Sequence, residues 1–410
     1  MRRYILLLLF CGYLNTNNTN NGCKCCHNEF PEEVMKFKNS LFDSVNIDCN
    51  KYKAFLSKRS DWECDTLETT HFDNLEPMAK GHNGAVYRFV NNENYVLKVL
   101  KRSEQPPVTK EEVDKTKAGD AVKSTEIVSE SDIESLERVN EISFSSFLCN
   151  QDIDSLCKYY AVFDDPESSN YYVILERVRG KTLEQSIREG IFMGKNKKSF
   201  NVEVILKTFQ NLLNAVKSLH EKNLVHMDLK ADNVFIDGNC DVKLIDMGSG
   251  CHLQNIRKVI TKRGSVRNFS KDYAKMLLIN NGIIAKEGSC DIVDDKDICK
   301  KYDIWCCGLI LYEMVFRKVL FSQYSFGNIV KLITSVNNRY NYVKKVYQER
   351  KSFDIENDPL IKNIKYSGSD GKIFAELLSA ILTREDSERK NIDDLVSMIE
   401  EYNNSTIVND

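Results

Sequence analysis

The chain has 410 residues, 42% of them hydrophobic and 29% charged, with a formal net charge of −3. That length suffices for two compact units, and the composition is that of an ordinary globular protein. So small a net charge gives no overall pull toward nucleic acid or an anionic membrane, and nucleic acid is not expected among its partners.

The N-terminus, "MRRYILLLLFCGYLNTNN", sets Arg2 and Arg3 ahead of an apolar run from Tyr4 to Phe10. This is the layout of a short secretory signal peptide, and the run is too short to span a bilayer. Residues 1–22 are therefore expected to be a signal peptide with an Asn-rich segment, sending the chain into the secretory pathway, to be secreted or held in a secretory organelle. The alternative is a docking helix on a cytoplasmic protein. With no other long apolar run, no stable membrane span is expected in the mature chain. The fourteen cysteines show no dense pattern of paired spacings, which speaks against a disulfide-stapled scaffold. Cys23, Cys25 and Cys26 are compatible with pairing, lipidation or plain surface thiols.

Val34, Phe37, Leu41 and Val45 stand at helical spacing, so residues 23–75 are expected to form a helical extension. "NGAVYRFV" and "NYVLKVLKR" then read as strands joined by "NNEN". Residues 103–131 are charged and poor in apolar side chains, which predicts a flexible insertion. A helix through "IESLERVNEISFSSFLC" and strands near "CKYYAVFDD" and "YYVILERV" follow. From Thr182 the pattern is mainly helical. "VEVILKTFQNLLNAVKSLHEK" is amphipathic, whereas "DIWCCGLILYEMVF" is apolar nearly all round and should be a buried helix. The last helix is expected near "NIDDLVSMIEEY", with 403–410 as a polar tail.

Several residues carry chemistry. Gly81 and Gly84, between two predicted strands, would let backbone N–H groups approach phosphate oxygens. Lys98 ends "YVLK", where it could pair with phosphates if a carboxylate held it. Glu141 is favoured as that carboxylate over Glu137, one helical turn earlier. In "LVHMDLKADNVFID", Asp228 could orient an acceptor hydroxyl and Lys230 could reach a transferring phosphoryl group. Asn233 offers an oxygen to Mg²⁺, and Asp246, delivered by "VKLID", offers a second.

The order of Gly-rich hairpin, strand lysine, helix glutamate, His-x-Asp-Leu-Lys-x-x-Asn and Asp-x-Gly resembles the eukaryotic protein kinase family. The resemblance implies an α+β, bilobal fold over 76–402, with a β-rich lobe at about 76–178, a helical lobe at about 179–402, and ATP with Mg²⁺ in the cleft. It implies that Val86 and Val96 roof the adenine, that Leu175 is the gatekeeper, and that Glu176, Arg177 and Val178 form the hinge. It also implies that Asp303 bonds the catalytic loop's backbone. Arg389 should meet a glutamate from an Ala-Pro-Glu tripeptide, but the chain departs there. Ser270-Lys271-Asp272 is preferred over the stretch ending at Glu287 as the segment's close.

Lys230 and Ser265 resemble the serine/threonine class, so a protein Ser/Thr hydroxyl is the expected acceptor. Met227 replaces the family's usual arginine, which removes an anchor for a phosphorylated activation loop. Turnover is then expected to depend little on loop phosphorylation. The alternatives are a weak pseudokinase serving as a scaffold and a small-molecule kinase of the choline or aminoglycoside type. Signal, Asn-rich composition, extension and missing arginine together resemble the secreted rhoptry-like kinases of apicomplexan parasites. Arg257, Lys258, Lys262, Arg263 and Arg267 form a basic strip that would favour acidic acceptor sequences.

Overall fold

The computed structural model describes residues 75–80, 84–90, 92–101, 141–142, 144–149, 151–165, 170–194, 199–254, 264–280, 295–322 and 336–407. The expected signal peptide, the helical extension up to residue 74, the charged insertion, the three N-terminal cysteines, and Gly81 and Glu137 lie outside these residues; Leu75, the expected last residue of the extension, begins a strand instead.

The chain divides into two compact units, one β-rich and one helical; Asp152–Cys157 belongs to the second, and the last crossing from the first to the second is at Arg177–Val178. The first unit holds a five-stranded antiparallel sheet in the order β1-β2-β3-β5-β4. Its strands are β1 (Leu75–Lys80), β2 (Gly84–Phe89), β3 (Asn92–Lys101), β4 (Tyr159–Asp165) and β5 (Asn170–Glu176). The β2–β3 turn is tighter than "NNEN" suggested, because Asn92 already pairs with Phe89. A short helix, α1, covers 141–142 and 144–148.

Alternation along the strands sorts the side chains by face. Phe89, Leu97, Val99, Ala161, Tyr172 and Ile174 pack into one apolar cluster. The intervening positions share the opposite face. Val86 lies across from Lys98 and Lys98 from Val173, while Val96 lies across from Leu175. One lysine thus stands in a row that is otherwise apolar.

The second unit contains α2 (Leu183–Glu189), α3 (Val202–Glu221), α4 (Lys271–Asn280), α5 (Asp295–Phe316), α6 (Val336–Ser352), α7 (Pro359–Lys365), α8 (Ser369–Ile381) and α9 (Ile392–Ile407). Small ladders connect β6 (Lys181–Thr182), β8 (Val234–Ile236) and β9 (Val242–Leu244), and β7 (Leu224–Val225) with β10 (Cys251–His252). Thr182 caps α2, its hydroxyl accepting the Gln185 N–H at 3.1 Å. α3 buries one stripe, including Phe209, Leu212, Leu213 and Val216. α5 is buried nearly throughout, as its unbroken apolar run predicts. A Cβ on Gly308 would come within 2.5 Å of Ile381 and 2.8 Å of Leu382, so glycine lets α5 and α8 pack closely. α9 continues to Ile407, so most of the expected tail is helix. Ser405 and Thr406 stay in the helix by turning their hydroxyls back to the Tyr402 carbonyl. No described helix is long and apolar enough to cross a membrane.

Candidate active site

In the first unit, β3 projects Lys98 toward α1, where its ammonium lies 2.7 Å from the Glu141 carboxylate. Both side chains are largely shielded, at 19% and 8% exposure, so the attraction is less damped than at the surface. An ideal Cβ on Gly84 would sit 2.0 Å from the Val99 carbonyl oxygen. The β2–β3 pairing alone therefore demands glycine there. Val96 and Leu175 are buried beside Lys98 on the same sheet face, and Val86 is half-buried there. Glu176 turns its carboxylate onto the Lys158 N–H at 3.0 Å, and Arg177 N–H bonds the Asn94 carbonyl at 2.8 Å. Val178 is the first residue of the second unit on this path.

The second unit holds the remaining candidates. Its catalytic-loop backbone is irregular, with Met227 at a φ of 66°, so its N–H groups need partners beyond any helix or sheet. Asp303, wholly buried on α5, supplies them. Its two oxygens accept the N–H groups of His226 and Met227, each at 2.9 Å, and His220 Nε2 lies 3.1 Å away. His226 bonds the Ile245 carbonyl through Nε2 at 3.0 Å and accepts the Asp228 N–H at Nδ1. The Met227 side chain is buried. A Cβ on Gly264 would strike the Met227 carbonyl at 2.0 Å, and the φ of 75° at Gly264 also favours glycine.

The Asp228 carboxylate is where these elements meet. Oδ1 accepts both the N–H and the hydroxyl of Ser265 at 2.9 Å. Oδ2 accepts the Lys230 ammonium at 3.0 Å. Asn233 donates its amide nitrogen to the Asp228 carbonyl at 2.8 Å, which turns its amide oxygen away from that bond. Burial works against the Lys230 ammonium, but Asp228, then Asp246 and Asp232, outweigh it and hold the group above the ordinary lysine value. β8 and β9 form a hairpin between Asn233 and Asp246, and Ile245 N–H bonds the Asn233 carbonyl at 3.0 Å. Asp246 sits at the turn after β9 with a φ of 61°, a conformation aspartate tolerates better than most residues.

At the far end of the segment, the pairing expected for Arg389 is replaced. Arg389 meets Asp386 of its own turn at 2.6 Å and donates to the Ile381, Lys301 and Thr383 carbonyls. Asp272 instead accepts the Asp386 N–H at 2.8 Å, and Lys271 pairs with Glu385. Aspartate, one methylene shorter than glutamate, holds the Arg389 turn by its backbone while Asp386 supplies the charge. The rival stretch ending at Glu287 lies outside the described residues.

Two further residues escaped the motif reading. Burial raises the Glu313 carboxyl to about 7; Arg267 pulls it down, while Asp232 and Glu184 push it up. A carboxylate within the apolar run of α5 was the available signal. Arg350 of α6 bonds the segment after Ser265, and nothing in its local sequence marks it.

The chain matches the protein kinase domain family over residues 72–399. The chain belongs to the protein kinase family. Among curated relatives it is similar to a probable serine/threonine-protein kinase nek2 of Dictyostelium discoideum, 26% identical over 52% of this chain and 46% of that protein. It is also similar to an SNF1-related protein kinase catalytic subunit alpha KIN12 of Arabidopsis thaliana, 25% identical over 47% of this chain and 33% of the relative. With extracellular signal-regulated kinase 7 of Drosophila melanogaster the identity is 25% over 70% of this chain and 27% of the relative. The chain thus spans less than half the length of these relatives.

Proposed function

We propose that this kinase-family chain transfers the γ-phosphoryl group of Mg-ATP to a serine or threonine hydroxyl of a protein. The observation that carries the proposal is the convergence of Ser265, Lys230 and Asn233 on the Asp228 carboxylate. Mg²⁺ bound with the nucleotide would neutralise phosphate charge as it develops. Asn233 and Asp246 suit it, because Mg²⁺ takes oxygen ligands and is commonly held by one or two protein groups together with substrate phosphates. Lys98, steadied by Glu141, would hold nucleotide phosphate. Val86, Val96 and Leu175 would offer an apolar face to adenine, and backbone groups at Glu176–Val178 would bond its edge. Asp228 would orient the acceptor hydroxyl and receive its proton, with Lys230 balancing its charge.

The deciding assay combines purified protein and Mg-ATP with a serine/threonine-rich protein, with choline, and with neither. Transfer to protein alone supports the reading. Transfer to choline alone would favour a small-molecule kinase. Nucleotide binding without transfer would favour a pseudokinase scaffold, a reading disfavoured by the presence of every group the chemistry needs.

Three finer points belong to the proposal. The buried Met227 offers no cation to a loop phosphate, so Thr261→Ala should leave turnover within about two-fold; a collapse would refute this. Arg267, together with the other four residues of the basic strip, which lie outside the described residues, would favour acidic over basic residues flanking the acceptor; a peptide array tests it. Finally, Arg2-Arg3 before an apolar run, with an Asn-rich segment behind it, supports secretory delivery of the kind used by rhoptry-like kinases. Protease protection of a C-terminal tag inside membrane vesicles tests it.

A further inference from the structure

Three carbonyls in a row follow Ser265, and each is capped from a distant helix. Trp305 Nε1 on α5 donates to the Asn268 carbonyl at 2.9 Å. Arg350 on α6 donates through Nη2 to Arg267 at 2.8 Å and through Nε to Phe269 at 3.2 Å. The guanidinium is only 1% exposed and lies 3.2 Å from the centroid of the Phe321 ring. That ring runs nearly parallel to Trp305, at 6.4 Å and 14°, so one aromatic plate joins the two donors.

The arrangement needs an arginine. A planar fork with donors at fixed angles can reach carbonyls two residues apart, whereas a lysine is a single point donor. The N–H groups of Asn268 and Phe269 already bond backward within the turn, to Ser265 and Val266. Arg350 and Trp305 thus supply the carbonyl caps that turn does not make for itself.

We propose that Arg350 is a positioning residue for phosphoryl transfer. By holding the Arg267 and Phe269 carbonyls, it fixes the stretch that sets Ser265 on Asp228 and that would bear the acceptor's flanking residues. This rests on the kinase reading above.

The test uses the full chain with Arg350→Met, which keeps much of the bulk but no donors, and Arg350→Lys, which keeps the charge without the fork. Peptide and ATP kinetics are measured together with the thermal midpoint and hydrogen exchange at the amides of residues 266–270. In Arg350→Met, which uncaps both carbonyls, the peptide KM should rise at least roughly ten-fold, the scale of one uncapped buried carbonyl. The KM for ATP should stay within about two-fold, because Arg350 is not among the groups assigned to the nucleotide. Arg350→Lys should fall between wild type and Met, and amides 266–270 should exchange faster in both variants. An unchanged peptide KM in a folded Met variant overturns the proposal. So does a parallel loss of kcat and ATP affinity that tracks the thermal midpoint. If the Met variant does not fold, the Lys variant decides by the same criteria. A wild type that transfers no phosphate would sink the kinase reading, while unchanged exchange at 266–270 in the variants would sink the anchor separately.

Discussion

The catalytic loop at 226–228 and the 3-10 turn at 266–268, closed by Phe269, are both short stretches inside the second unit, and they are secured by opposite charges. The first turns N–H groups inward, and the Asp303 carboxylate accepts two of them. The second turns carbonyls inward, and Arg350 and Trp305 donate to three. The sign of the cap follows from which backbone group faces the interior, since a buried group of either kind must find a partner. Ser265 bonding Asp228 ties the two stretches together, so each cap also serves the other.

Four substitutions would break or sharpen that contrast, from the largest effect to the smallest. Asp246→Asn removes the charge proposed to meet Mg²⁺ and touches neither cap. Phosphate transfer should fall on the order of a thousand-fold or more in a radiolabel assay, with an unchanged thermal midpoint. Retention of a tenth of the activity would refute the assigned role. Asp303→Asn leaves one buried N–H without its acceptor. A drop in kcat of about ten- to a hundred-fold with a lowered thermal midpoint is expected. If the loss appeared only in peptide KM, the two caps would not act differently as the contrast requires. Glu141→Gln lies in the first unit, outside both stretches. Loss of its charged bond to Lys98 should raise the KM for ATP by roughly ten-fold and leave the peptide KM alone.

The smallest effect is a pH dependence. The Glu313 carboxyl is raised from 4.5 to about 7, chiefly by burial. Between those values the folded chain keeps a proton that the unfolded chain has released. Glu313 therefore favours folding below pH 4.5, and that contribution is lost as pH rises toward 7. Glu313→Gln should flatten the stability profile across this window and gain on the order of 1 kcal/mol relative to wild type above pH 7, after screening at this half-buried site. Urea midpoints at pH 5 and 8 that shift equally in both proteins would rule this out.

The catalytic loop was legible because its residues are close in sequence. Asp228, Lys230 and Asn233 fall within six positions, and their spacing is dictated by one turn around one carboxylate. Asp303 could be read because it opens "DIWCCGLILYEMVF", the apolar run that marks a buried helix. The partner of Arg389 was not legible. Resemblance pointed to the tripeptide before α4, whereas Asp386 pairs with it from its own turn. Which carboxylate arrives depends on packed backbone positions, here on the one turn that carries both Asp386 and Arg389.

By itself the sequence determined the alternation that sorts the sheet faces, the apolar run that buries α5, and the chemistry available at Lys98, Asp228, Asn233 and Asp246. These are local properties, set by spacing and residue type. Tertiary structure decided that Lys98 meets Glu141, that Met227 is buried, and that Arg350 caps a turn more than eighty residues earlier in the chain. Such pairings depend on which unsatisfied backbone group each buried side chain ends up facing, and no local pattern encodes that.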